Sequence, residues 1–197
     1  MDTRLETQGY LLLDNALSTE AVDLFSQYAL FDELHNKHSA APEKLVPNSY
    51  GKEIDPFAES LTLKLLPIMQ EYTGLSLSPT FTYFRVYRTG SLLPEHKDRP
   101  ACEYSATVCF NYDYSGTDYQ WPIYMDNNPV VMKPGDMVIY RGCEVSHRRD
   151  TLEAPEGSWH VQCFFHYVDL NGPYANLAYD RRRGVGYPRR MQHFRRV

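Results

Sequence analysis

In the stretch LLPEHKDRPACEYSATVCFN, residues 92–111, His96 and Asp98 are separated by a single residue. On an extended strand, residues i and i+2 project to the same face, so an imidazole and a carboxylate would stand side by side. Such a pair binds a divalent metal or forms a plain surface ion pair, and HxD alone does not choose between them.

A second stretch changes the balance. VVMKPGDMVIYRGCEVSHRRD, residues 130–150, reads as a turn at KPGD, a strand at MVIY, a short loop at RGCEVS, and then His147. A jelly roll can return such a histidine to the side of an HxD pair on an earlier strand. Two neutral imidazoles and one carboxylate on one face of a metal ion leave coordination positions open opposite them, the ligand set of non-haem Fe(II) sites. His160 and His166 lie on WHVQCFFHYV, where 160, 162, 164 and 166 share a face; they read as core or cofactor-contacting residues rather than ligands. His35, His38 and His193 lie in polar or tail contexts and read as surface residues.

Positioning these residues requires strands, and the chain supplies them in its second part. From about Leu77, the runs TFTYFRVY, YSATVCFNYD, QWPIYMD, PVVMK, DMVIYRG and HVQCFFHYVD are short, β-branched or aromatic, and separated by turn residues. The first part reads differently. GYLLLD (9–14) is a short strand; Ser18 caps a helix with Val22, Phe25 and Ala29 on one face. Residues 35–52 read as a loop. Asp55 and Pro56 then start a helix carrying Phe57, Leu61, Leu65, Met69 and Tyr72, which Pro67 should kink or restart. The expected fold class is mainly β with N-terminal helices: a double-stranded β-helix, or jelly roll, with a helical buttress over about 15–75 and a β core over about 77–169.

At 197 residues, with 43% hydrophobic and 23% charged residues, the chain is long enough for one domain with its own core and is not a disordered composition. The four cysteines form no CxxC pair and read as buried free thiols of a reducing compartment. The N-terminus lacks secretory-signal character and no apolar run spans a bilayer, so the expectation is a cytoplasmic protein with no membrane partner. The net charge of −5 is uneven: residues 180–197 hold seven arginines and one aspartate, +6, leaving −11 on residues 1–179. The expected division is therefore a domain over 1–179 and a basic tail over 180–197. Opposite signs point to a tail that folds back on its own body or contacts a second copy in a homo-oligomer, rather than one that binds nucleic acid.

HKDR, KPGDMVIYRGCEVSH and WHVQCFFHYVD together resemble the iron(II)- and 2-oxoglutarate-dependent dioxygenase superfamily, in its prolyl-4-hydroxylase-like branch. FRVYRTGSLLPEHKDR is similar to that branch's approach to its HxD, and GYLLLDNALSTEAVDLF to its opening strand and helix. The resemblance spans about residues 8–169 and its specific part is 83–168. It implies that His96, Asp98 and His147 are the iron ligands, with 2-oxoglutarate as cosubstrate and O2 as oxidant. It also implies hydroxylation of an unactivated C–H bond in a peptide, amino acid or small metabolite; members that halogenate lack the carboxylate that Asp98 supplies.

One departure stands out. The branch carries an arginine or lysine well past the distal histidine, paired with the far carboxylate of 2-oxoglutarate, and here that region reads LEAPEGSWHVQ with no such base. His160 and Gln162 are the expected cosubstrate contacts in its place, with Tyr87 and Arg85 from the opposing stretch. Tyr104, Trp121, Tyr140 and Trp159 are the expected lining of a substrate pocket. The missing base keeps two other readings open: a cupin-like non-haem metal dioxygenase that uses no keto acid, and a non-catalytic jelly-roll binding module.

Overall fold

Alternation along the strands sends side chains into two separate cores, one beneath the helices and one between two sheets. The computed structural model describes residues 2–38 and 45–189. In chain order the elements are α1 (Thr3–Thr7), β1 (Tyr10–Leu13), α2 (Thr19–Asn36), β2 (Ser49–Glu53), α3 (Pro56–Thr73), β3 (Leu77–Arg88) and β4 (Leu93–His96). They continue with β5 (Tyr104–Asp113), β6 (Ile123–Met125), β7 (Asn128–Val130), β8 (Met137–Arg141), β9 (His147–Arg149) and β10 (Trp159–Asp169). One sheet has the order β1-β8-β5-β10-β3-β2 and the other β4-β9-β6-β7, with antiparallel pairing throughout. This is the expected double-stranded β-helix with helices on one side.

The large sheet is buried on both faces. Val161, Cys163 and Phe165 of β10, with Ala106, Val108 and Phe110 of β5, meet Phe25 of α2 and Leu65 and Met69 of α3. Phe25 is fully buried against the rings of Phe57, Phe84 and Phe110; burying a side chain of this size contributes about 1.5–3 kcal/mol. The alternate residues, His160, Gln162, Phe164 and His166 on β10 and Ser105, Thr107 and Cys109 on β5, are buried too, on the side that faces the small sheet. A polar set buried in a strand interior is where function is expected.

The helix caps form as expected. The Ser18 side chain accepts from the Ala21 amide, and Asp55 accepts from the Phe57 and Ala58 amides. Pro67 does not break α3, which runs unbroken to Gly74 in the left-handed region. The carbonyl that loses its partner belongs to Leu63, on the solvent side of the helix, where water can satisfy it, while Leu61, Leu65 and Met69 hold the opposite face in the core. Residues 35–52 are not all loop: β2 pairs with β3, with Tyr50 opposite Val86. Its residues have weak strand propensity, and Gly51 is needed because a Cβ there would lie 1.9 Å from the Tyr83 hydroxyl.

The sequence boundary at 180 does not separate residues 180–189 from the body. Arg182 forms a buried ion pair with Glu59 of α3 and donates to the Thr80 carbonyl, and Arg189 pairs with Glu53 and Asp180. Residues 190–197, with Arg190, Arg195, Arg196 and the expected surface residue His193, lie outside the described residues. Among the described residues all four cysteines are free, and no helix is long and apolar enough to cross a membrane.

Candidate metal centre

Pairing of β4 with β9 sets His96 directly opposite His147. Their rings lie 4.2 Å apart between centroids. Asp98 completes the cluster from just past the end of β4, so the strand alternation expected of HxD is not what joins it to His96. The chain turns instead, and the Asp98 amide donates to the Gly142 carbonyl at 2.9 Å. Asp98 Oδ1 then lies 3.8 Å from His96 Nε2 and 3.7 Å from His147 Nε2. These gaps are too long for hydrogen bonds and of the size bridged by a metal ion about 2.0–2.2 Å from each ligand.

The surrounding shell turns the right atoms inward. His96 Nδ1 donates to the Pro94 carbonyl at 2.8 Å, and His147 Nδ1 to the Val145 carbonyl at 3.1 Å. Carbonyls only accept, so Nδ1 carries a proton in both rings and Nε2 is the atom turned toward Asp98. Burial, with His96 adding to it, pushes His147 down to about 4, so its imidazole is neutral and ready to ligate at neutral pH. The other carboxylate oxygen, Oδ2, accepts from Ser105 Oγ at 3.3 Å, which lies 2.9 Å from His166 Nδ1. His166 stacks on Phe81, and Tyr140 meets His147 edge-on. A cavity of about 690 Å³ lined by Arg99, Asp180, Arg181 and Arg189 begins at the residue after Asp98.

On the same strand as His147, two residues on, Arg149 points to the same interior while Arg148 turns outward onto Asp150 and the Tyr124 ring. Arg149 is 1% exposed. Its guanidinium lies over Trp121, donates to the Trp121 carbonyl at 2.6 Å, and donates to Gln162 Oε1 at 3.1 Å. No carboxylate among the described residues pairs with it. Beside it, the Tyr87 hydroxyl is fully buried and has no hydrogen-bond partner; its ring stands edge-on to Trp121 and to His160.

The expected cosubstrate contacts are only partly free for that work. His160 uses both ring nitrogens: Nδ1 accepts from the Tyr114 hydroxyl at 2.8 Å and Nε2 donates to Gln162 Oε1 at 2.7 Å. Burial, then Arg149, pushes its pKa well down, which disfavours a charged ring there. Gln162 is likewise spent, its amide nitrogen donating to Thr107 Oγ1 at 2.6 Å. Arg85 is buried over the Tyr83 and Tyr87 rings. Of the expected pocket aromatics, Trp121 and Tyr140 face the inter-sheet interior. Tyr104 and Trp159 do not: both pack on the helix-side core, on the far face of the large sheet, because they fall on the other parity of β5 and β10.

Sequence reasoning missed Ser105, Gly142 and above all Arg149. The signal for Arg149 was present, since HRR on a strand puts residues 147 and 149 on one face.

No sequence-family profile and no curated protein matches the chain. Solved structures do. A prolyl-4-hydroxylase from Pseudomonas putida superposes with a TM-score of 0.64 at 16% identity, over 85% of this chain and 96% of the other. The chain has the fold of the non-haem iron and 2-oxoglutarate oxygenases. The epimerase SnoN of nogalamycin biosynthesis, described as non-haem and α-ketoglutarate-dependent, gives a TM-score of 0.69 at 10% identity over 85% and 81% of the two chains. HygX from Streptomyces hygroscopicus, solved with nickel, 2-oxoglutarate and hygromycin B, gives 0.63 at 14% identity over 85% of each chain.

Proposed function

We propose that the protein is an Fe(II)- and 2-oxoglutarate-dependent oxygenase that hydroxylates an unactivated C–H bond. The observation that carries this reading is the convergence of His96 Nε2, His147 Nε2 and Asp98 Oδ1. The donor set suits the group: two imidazoles turned Nε2-inward by backbone carbonyls and one carboxylate. His96, Asp98 and His147 would hold the iron. When bound, iron, O2 and the keto acid supply the oxidising power, the keto acid leaving as succinate and CO2.

The chain's own residues hold and orient. The Pro94 and Val145 carbonyls keep both imidazoles turned with Nε2 inward. Ser105 occupies Asp98 Oδ2 and leaves Oδ1 for the metal. Phe81, Tyr140 and His166 wall the centre with buried rings that exclude water. The test is turnover: purified protein with Fe(II), ascorbate and oxygen should convert 2-oxoglutarate to succinate, and His96→Ala should not. Iron-loaded wild-type protein that leaves 2-oxoglutarate unchanged would sink the reading.

A further inference from the structure

The cavity that begins at the residue after Asp98 holds more positive charge than its own acids can pair. Arg99, Arg181 and Arg189 line it against Glu53 and Asp180, while Arg182 in the same wall is spent inward on Glu59. Asp180 is shared between two of them. Arg99 forks onto both of its oxygens, Nη1 to Oδ1 at 3.1 Å and Nη2 to Oδ2 at 3.2 Å, and Arg189 Nη2 reaches Oδ2 at 2.5 Å. A guanidinium has five N–H donors, so these contacts leave part of each fork unspent. Arg181 is exposed and has no hydrogen bond or ion pair among the described residues. Bridges that only tied the chain's end to the body would need one arginine per acid; here three face two. The backbone presenting them is also unfavourable. Tyr179, Asp180 and Arg181 have φ of 56°, 50° and 64°, the left-handed region that residues with a Cβ avoid. Strain of this kind clusters at ligand sites.

We infer that this cavity holds the acidic group of the substrate to be oxidised, a carboxylate or a phosphate, between Arg99, Arg181 and Arg189. This rests on the oxygenase reading above and concerns the substrate, not the keto acid. Guanidinium forks match carboxylate and phosphate oxygens, and two forks already aligned on Asp180 lose little freedom when an anion arrives. Glu53 and Asp180 repel further negative charge, so the wall suits one acidic group better than a polyanion. Its place suits a substrate. Arg99 follows the ligand Asp98 directly, and its guanidinium lies 4.4 Å from the Phe81 ring centroid. Phe81 in turn stacks on His166 at 4.5 Å, and His166 meets Ser105 beside Asp98. An acid anchored there fixes which carbon faces the metal. The volume of about 690 Å³ admits a small molecule or the end of a peptide.

The experiment is a proton NMR titration of full-length protein carrying Mn(II) and saturating 2-oxoglutarate. The probes are phenylacetate, phenyl phosphate and, as the uncharged control, phenylacetamide. Mn(II) broadens the protons of a probe bound beside it, and Mg(II)-loaded protein gives the diamagnetic baseline. At least one acid should bind about tenfold tighter than the amide and broaden only with Mn(II); the tighter acid names the group. Arg181→Gln and Arg99→Gln should each lose about tenfold for that acid alone, with Mn(II) and 2-oxoglutarate affinities kept. Arg181→Lys should keep most of it. Should Arg99→Gln fail to fold, the exposed and unpaired Arg181 decides alone. Acids that bind no better than the amide, or that ignore the glutamine variants, would overturn the inference; succinate formation would leave the oxygenase reading standing. A parallel loss of 2-oxoglutarate affinity would overturn it too, by giving the arginines to the cosubstrate. Acids held through Arg181 but not broadened by Mn(II) would lie away from the metal, which removes the substrate role. A single-stranded oligonucleotide that binds tighter than either acid, and is lost in Arg181→Gln, would assign the wall to a polyanion instead. Arginine-dependent acid binding in iron-loaded protein that leaves 2-oxoglutarate unchanged would sink the oxygenase reading and the substrate role together, leaving only an anion site.

Discussion

The Asp98 amide and the Gly142 carbonyl are joined by a 2.9 Å hydrogen bond, and the Gly142 α-carbon faces the same aspartate's carboxylate. A Cβ at 142 would lie 2.7 Å from Asp98 Oδ2 and 2.1 Å from the Cys102 carbonyl oxygen. Gly142→Ala should therefore push the carboxylate off the histidine pair and weaken metal binding by about 10- to 100-fold, the range for lost outer-shell support. Titration with Mn(II) measures it; full affinity in the alanine variant would show that the loop yields without moving Asp98.

Replacing His96, Asp98 or His147 by alanine should remove bound iron while leaving the fold in place. His160→Ala should keep its iron, since that ring is committed to Tyr114 and Gln162. Metal content by elemental analysis separates the cases, and iron lost from His160→Ala but not from His147→Ala would reassign the distal ligand.

His166 gives the metal-free protein a pH dependence. Burial pushes it down to about 4 in the fold, with Asp98 acting the other way; unfolded, a histidine titrates near 6.5. Between those values the unfolded chain binds more protons, so stability rises as pH climbs from about 4 to about 6.5 and levels off above. The contribution is about 3 kcal/mol. Urea unfolding of His166→Gln should show a shallower loss on acidification than wild type; parallel curves would mean the ring titrates normally.

Arg182 and Glu59 are 1% and 3% exposed and pair with each other. Arg182→Ala leaves the glutamate buried and uncompensated and should cost about 3–5 kcal/mol. A chain ending at Asp180 loses the same pair, so it should denature earlier yet bind Mn(II) as the full chain does. The double variant Arg182→Met, Glu59→Leu should recover much of the loss. A single-variant cost below about 1 kcal/mol would put the pair in the class of surface bridges.

The jelly roll was legible because strand runs and turns are local: period-two alternation in YSATVCFNYD and HVQCFFHYVD marks β5 and β10 directly. The grouping of His96, Asp98 and His147 was legible as a pattern, but its geometry was not. Asp98 joins through a loop carbonyl on a segment distant in sequence, and nothing in HKD announces Gly142. β2 was hidden because SYGKE has little strand propensity and forms by pairing with β3. Tyr104 and Trp159 were misassigned by aromatic character, although the parity of their strands places them on the helix side. Arg149 was missed, although a strict reading of HRR as a strand turns residues 147 and 149 to one face.

A single three-residue strand, β9, carries both His147 and Arg149. The pleat of one strand fixes the spacing of these two side chains, so neither shifts along β9 without the other. The connection from residue 150 to residue 158 moors that strand: Leu152 is fully buried and exchanges backbone hydrogen bonds with Gly90 and Ser91 of the β3–β4 turn. A graft that replaced Leu152 would therefore be felt at the far end of the strand, at His147.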